Sequence, residues 1–245
     1  MSKQQIVNAP FLYVNSLGVS VASNTTLTLA AGICRDSTNT FDISLASAVT
    51  IDAAVNGVNG LDTGSFAASK CYAVFVIADS SKFNAERGLI SLSSTAPVLP
   101  SGYDIFRRVG WAFSDGSTYF IAMNVSGNGS ERKYVYDEPV SALSAGTSAT
   151  FAAVALTEKV PAVENLQVSL QLDFTPNAAD DAAYVRAGGS SATNGVVVYG
   201  SVATKKSSDQ IEALAKLVTA APTIEYKVTA SGSLNALIVG FVDHI

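Results

Sequence analysis

Val168-Ser169-Leu170-Gln171-Leu172-Asp173-Phe174 places an apolar side chain at every second position and a polar one between. Successive side chains of an extended chain point to opposite faces. This stretch therefore buries Val168, Leu170, Leu172 and Phe174 on one face and turns Ser169, Gln171 and Asp173 to the other. The same period recurs outward along the chain. Leu27 and Leu29 alternate with threonines, Phe41, Ile43 and Leu45 with Asp42 and Ser44, and Val49, Ile51, Ala53 and Val55 continue the pattern. Val196 to Tyr199 is a shorter apolar run that fits a strand buried on both sides.

Turn signals separate these runs at close intervals: Asn15-Ser16-Leu17-Gly18, Asn56-Gly57, Asn59-Gly60, Ser101-Gly102, Asp115-Gly116, Gly188-Gly189 and Asn194-Gly195. Asn-Gly and Asp-Gly supply the positive φ angles of tight hairpins at little steric cost. Asp115-Gly116, between Trp111-Ala112-Phe113 and Tyr119-Phe120-Ile121, predicts a hairpin. Many short strands divided by turns predict an all-β chain of two antiparallel β-sandwich or jelly-roll-like domains.

Val125-Ser126-Gly127-Asn128-Gly129-Ser130-Glu131 marks the boundary between domains 1–131 and 132–245. Most aromatics and the single tryptophan precede it, and an Ala/Val/Thr-rich block follows. The same glycine-rich stretch also reads as a long hairpin loop within one domain. Residues 1–14 read equally as an arm onto a partner or as a first edge strand. Segment 208–219 is open between helix and strand. Ile211, Leu214, Leu217 and Val218 have helical spacing behind Ser208 or Asp209 as N-cap, while Leu214, Lys216 and Val218 alternate against Ala213, Ala215 and Leu217.

The composition argues against chemistry. Among 245 residues there are one histidine and two cysteines, and only 14% are charged. Enzyme sites gather ionisable side chains whose pKa values can be tuned. His244 is next to last. Nothing here has metal-ligand spacing, and no catalytic, cofactor-binding or metal-binding residue is assigned. The net charge is −5, with basic pairs only at Arg107-Arg108, Arg132-Lys133 and Lys205-Lys206. On an acidic chain such pairs read as solvated turns, so no nucleic-acid partner is expected. No apolar run reaches membrane-spanning length, and Met1-Ser2-Lys3-Gln4-Gln5 opens no secretory signal, so neither a membrane nor secretion is expected. Cys34 and Cys71 read as buried thiols.

Asp62-Thr63-Gly64-Ser65 spells the aspartic-protease motif, with Leu237-Ile238-Val239-Gly240 as a downstream supporting element. That chemistry needs two carboxylates sharing one proton, from a second such loop or a symmetric dimer; no second triplet exists, which leaves a homodimeric protease as the minor reading and a polar turn between strands as the favoured one. A serine hydrolase lacks its G-x-S-x-G elbow, and Cys-His catalysis would depend on terminal His244. Asp180-Asp181 and Asp137-Glu138 are the acid pairs for glycoside hydrolysis, though adjacent acids in a strand diverge. Asn24-Thr25-Thr26, Asn124-Val125-Ser126 and Asn128-Gly129-Ser130 match the glycosylation pattern but read as ordinary turn and strand residues. Tyr103, Phe106, Trp111, Phe113, Tyr119 and Phe120 offer a sugar-stacking platform, with one face of them read as core.

The run from Gly32 through Tyr119 carries a resemblance. Its landmarks are Cys34-Arg35-Asp36-Ser37-Thr38-Asn39, Val55-Asn56-Gly57-Val58-Asn59-Gly60-Leu61-Asp62-Thr63-Gly64, Pro97-Val98-Leu99-Pro100-Ser101-Gly102-Tyr103-Asp104 and Arg107-Arg108-Val109-Gly110-Trp111. It resembles uncharacterised virion proteins of tailed bacteriophages, and the second half is similar in style to the small jelly-roll modules of phage fibres and capsid decorations. The resemblance implies a non-enzymatic virion protein assembled in the bacterial cytoplasm. It would be a homo-oligomer, with a trimer favoured, serving as a capsid decoration, cement or head-fibre protein. Its partners would be the major capsid protein or tail and portal components. The alternative it implies is a tail or collar fibre module holding host glycan.

Overall fold

Val168, Leu170, Leu172 and Phe174 are all fully buried on one face of a single strand, as their period requires. The computed structural model describes residues 13–82, 85–127, 129, 131–229 and 232–245. Among these every helix or strand element is a strand, so the chain is all-β. It divides into two compact units, residues 1–133 with 244–245, and residues 134–243.

The first unit contains β1 (Val14–Ser16), β2 (Val19–Val21), β3 (Thr26–Leu29), β4 (Gly32–Arg35), β5 (Asp42–Leu45) and β6 (Val49–Asn56). It continues with β7 (Gly60–Leu61), β8 (Cys71–Ala78), β9 (Arg87–Ser91), β10 (Ile105–Phe113) and β11 (Met123–Ser126). Three strands form one sheet in the order β1-β4-β5, and seven form another in the order β10-β8-β9-β7-β6-β3-β2. Val14, Cys34, Ile43 and Leu45 of the small sheet share one core with Leu27, Leu29, Ile51, Val74 and Val109 of the large one. That shared core makes the unit a sandwich. The pairing is antiparallel except at two-residue β7, which bridges β6 and β9 in parallel.

The expected alternation holds at β3 and β5 and stops early in β6, where Ala53 is buried but Val55 is exposed. The arm expected at residues 1–14 lies outside the described residues through position 12, and Val14 belongs to edge strand β1. Asp115-Gly116 does reverse the chain, but the returning arm pairs briefly, through the Ser114–Phe120 bridge with Asp115 N–H on the Tyr119 carbonyl and Ile121 N–H on the Phe113 carbonyl. The Asp115 carboxylate accepts the Ser117 and Tyr119 N–H groups, and Thr118 takes the positive φ. At Pro100-Ser101-Gly102-Tyr103 the turn is as expected, with Gly102 at φ 86° in the third position and Tyr103 N–H on the Pro100 carbonyl.

Between β4 and β5 the chain turns around the buried Asp36. Its carboxylate accepts N–H groups of Thr38, Thr40 and Phe41 and the Thr38 hydroxyl. Burial pushes its pKa up, but these hydrogen bonds outweigh burial and hold it below the ordinary carboxylate value. A depressed folded pKa contributes stability above the unfolded value, and that contribution disappears as pH falls through the folded one. Asp36→Asn is expected to cost about 1–3 kcal/mol at neutral pH. The gap to the parent should narrow as pH falls below about 4 and close once pH passes the depressed folded value, where the folded parent loses the same charge. Urea titrations at pH 7 and pH 3 check both statements.

In the second unit β12 (Glu131–Gly146), which begins in the first, is followed by β13 (Ala152–Ala155), β14 (Leu166–Thr175), β15 (Ala182–Ala187) and β16 (Val196–Tyr199). Strands β17 (Ser207–Val218), β18 (Ala221–Val228) and β19 (Ser233–His244) complete it. Their order is β12-β19-β14-β17-β18-β15-β16, with β13 also on β18. Strand β14 is central, pairing antiparallel with β17 on one side and β19 on the other.

Segment 208–219, left open between helix and strand, is a strand up to Val218. Opposite β14 in unbroken register, it turns Ile211, Ala213 and Ala215 inward and Gln210, Glu212, Leu214 and Lys216 outward. Ladder hydrogen bonds and burial of that inner row override the helix preference of its Ala, Leu, Glu and Lys residues. Buried Asp173 fastens its start, receiving the Ser208 hydroxyl at 2.7 Å and Lys206 Nζ at 2.6 Å. The run Val196–Tyr199, expected to be buried on both sides, is instead the edge strand β16. Paired only with β15, it buries Val198 and exposes Val196 and Tyr199.

Candidate functional site

Asp62 and Asp181, two of the acids that suggested chemistry, are occupied in holding the fold. The Asp62 carboxylate accepts the Val98 N–H at 3.0 Å and the Thr63 N–H at 2.7 Å, so it pins the loop after β9 to the turn after β7. Leu237-Ile238-Val239-Gly240 lies inside β19 in the other unit. Asp62→Asn is expected to cost less than about 1.5 kcal/mol, the net worth of a lost hydrogen bond. It should leave peptide hydrolysis by the purified protein unchanged. Thermal unfolding and incubation with a fluorogenic peptide check the two statements.

Asp180 and Asp181 diverge. Asp180 is exposed at φ 68°, whereas buried Asp181 accepts the Asn177 and Ala178 N–H groups. Asp137 and Glu138 are both exposed on β12. His244 is exposed at the end of β19, with its Nδ1 4.0 Å from the Glu131 carboxylate. Cys34 is buried and Cys71 is half-buried at the start of β8, and no disulfide joins them. Among the described residues no group of three His, Cys, Asp or Glu side chains gathers as a metal site.

The aromatic group does not form a platform. Trp111, Phe113 and Phe120 are buried, Tyr103 and Phe106 are half-buried, and only Tyr119 is exposed. The reading of the basic pairs as solvated turns is corrected at two of them. Arg107 is buried in β10 and Arg132 in β12, because strand alternation turns one member of each pair inward. Lys205-Lys206 does lie in an exposed loop, although Lys206 reaches Asp173.

What remains is the free edge of the second unit. Val196, Tyr199 and nearby Val202 are 44%, 63% and 51% exposed. An edge strand leaves every second pair of backbone N–H and C=O groups without a ladder partner, and proteins ordinarily blunt such edges with charge or proline. No residue of Val196-Val197-Val198-Tyr199 is charged or proline. The arrangement suits strand addition, with main-chain bonds for affinity and Tyr199 for contact area. The apolar run was visible in the sequence. Its edge position was not, since that depends on β16 being followed by no further strand on that side. On the opposite side of the same strand pair, Arg186 is bonded to Glu225 at 2.6 Å and lies 3.6 Å from the Phe151 ring centroid. Lys227 Nζ stands 4.5 Å from the Tyr184 ring centroid.

No family model, curated protein or solved structure matches this chain.

Proposed function

We propose that the chain is a non-enzymatic structural protein of a tailed-bacteriophage particle, an oligomer that decorates or cements the capsid shell. The exposed, uncharged edge strand β16 with Val196 and Tyr199 carries this reading, since it is a surface made for another protein strand. The use of Asp36, Asp62, Asp115 and Asp181 as staples for backbone N–H groups supports it, because none is left poised as an acid or base. The resemblance of Gly32–Tyr119 to virion proteins supplies the particle. A cement protein stabilises a shell by buried area, on the order of 1,200–2,000 Å² for a specific interface, and needs no chemistry.

Cryo-electron microscopy of the intact particle tests the assignment. Density repeated over the icosahedral shell is expected. Density confined to the tail or portal vertex would replace the reading with a fibre or adaptor that holds host glycan. Val196→Lys with Tyr199→Lys is expected to abolish strand addition while leaving the thermal midpoint of the isolated chain within about 2 °C, as exposed substitutions do.

A further inference from the structure

Two of the buried arginines, Arg35 and Arg132, place both terminal guanidinium nitrogens on acceptors. Arg35 donates to Asp42 at 3.1 Å and to the Asn39 carbonyl, and Arg132 donates to the Leu17 and Ser16 carbonyls. Arg107 differs. It is 6% exposed, and among the described residues its guanidinium makes no hydrogen bond or ion pair. The carboxylate whose charge acts on it is that of Asp36, both of whose oxygens already serve Thr38, Thr40 and Phe41. Burial pulls the Arg107 pKa down, but a guanidinium stays protonated in proteins. A permanent charge is thus held out of water with no hydrogen-bonded or ion-paired partner, a costly arrangement.

Arg107 lines a cavity of about 270 Å³ in the first unit. Strand β10 is the edge of its sheet, so side chains from both its faces reach this space. Arg108 lines it as well, stacked over Trp111 at 4.5 Å. Ser37, Ser94 and Thr95 add three hydroxyls, none with a side-chain partner among the described residues. Phe75, Phe106 and Ile245 supply the apolar lining, which lowers the local dielectric and strengthens any charge pairing there.

We propose that this cavity is an oxyanion-binding site, in which a compact carboxylate or phosphate group sits in the Arg107 fork with Arg108 and the three hydroxyls around it. The planar guanidinium matches two oxygens of either group, and such paired bonds are the stronger kind. The inference is independent of the virion reading, since it needs only the first unit.

The test titrates the full chain with sodium phosphate and separately with sodium succinate, at an ionic strength held constant with sodium chloride. Calorimetry and the thermal midpoint are read together. The parent is expected to bind at least one of the two anions at one site per chain, with a rise in midpoint that chloride does not give. Whichever anion binds more tightly identifies the group the cavity prefers. Arg107→Met is expected to match or exceed the parent's midpoint without ligand, since an unpaired buried charge is removed. Its affinity should fall about 10- to 100-fold, the range for lost charged hydrogen bonds. Arg107→Lys, which keeps the charge but loses the fork, should fall between them. A parent response equal to that in chloride overturns the proposal, as does undiminished binding by Arg107→Met. If Arg107→Met does not fold, undiminished binding by both Arg107→Lys and Ser94→Val overturns it instead.

Discussion

Arg132→Met is expected to remove about 2–4 kcal/mol of folding stability from the first unit, since one buried hydrogen bond from a charged donor and a second, more exposed one are lost. Arg132 is 1% exposed. Its Nη1 donates to the Leu17 carbonyl at 2.8 Å, and its other terminal nitrogen donates to the Ser16 carbonyl. Ser16 ends β1 and Leu17 opens the turn to β2, and both have positive φ, 61° and 59°. Each such non-glycine residue costs on the order of 1–2 kcal/mol unless its surroundings hold it there. The guanidinium does so by gripping both turn carbonyls from a strand more than a hundred positions away. Methionine keeps the stem but leaves the buried Leu17 carbonyl unsatisfied, at about 1–3 kcal/mol, and returns the carbonyl of exposed Ser16 to solvent. Trp111 is the single tryptophan and belongs to this unit, so its fluorescence during urea unfolding reads the loss directly. Arg132→Lys should recover part of it, reaching one carbonyl but not both. A change below about 1 kcal/mol would show that the turn holds its shape without the clamp.

That clamp also shows where the sequence stops being legible. Period-two patterns are local, so Val168–Phe174 and Leu27–Leu29 could be assigned to an inner face without knowing their neighbours. The burial of Arg132 is not local, because it follows from carbonyls near residue 17. The hairpin joining β17 to β18 was hidden for a different reason. Its two turn residues, Thr219 and Ala220, have φ of 51° and 66°, the positions where Asn-Gly is the recognised signal. With no glycine there, Ala213–Ala221 keeps its helical composition, and only the register against β14 resolves it. The oxyanion cavity is the least legible part. Ser37, Ser94 and Arg107 lie on three separate segments, and Arg107-Arg108 resembles any solvated basic pair until β10 is seen at the edge of its sheet. The acid motifs misled in the opposite direction, because Asp62-Thr63-Gly64 spells a catalytic loop while its carboxylate is committed to backbone N–H groups.

Phe241→Ala is the corresponding prediction for the second unit, with an expected loss of about 3–5 kcal/mol for a large aromatic removed from a packed core. Phe241 is fully buried in β19, its ring stacked on Tyr134 with centroids 4.6 Å apart and planes 11° from parallel. Tyr136 approaches the same ring at 6.5 Å. Both tyrosines lie on β12 and Val168 of β14 is opposite Phe241, so the side chain sits where three adjacent strands converge. Such an aromatic pair adds about 0.5–1.5 kcal/mol beyond area burial. The space around it cannot easily collapse, because the preceding Gly240 already brings β19 hard against β12. A Cβ at Gly240 would lie 2.1 Å from the Tyr134 carbonyl oxygen. A cavity opened beside so close a backbone contact stays open, which places the cost toward the upper end of the range. Phe241→Leu, which refills most of the volume, should cost less than half as much. Amide hydrogen exchange in β12, β14 and β19 measures the change, and equal protection in parent and Phe241→Ala would show that this ring is not what joins the three strands.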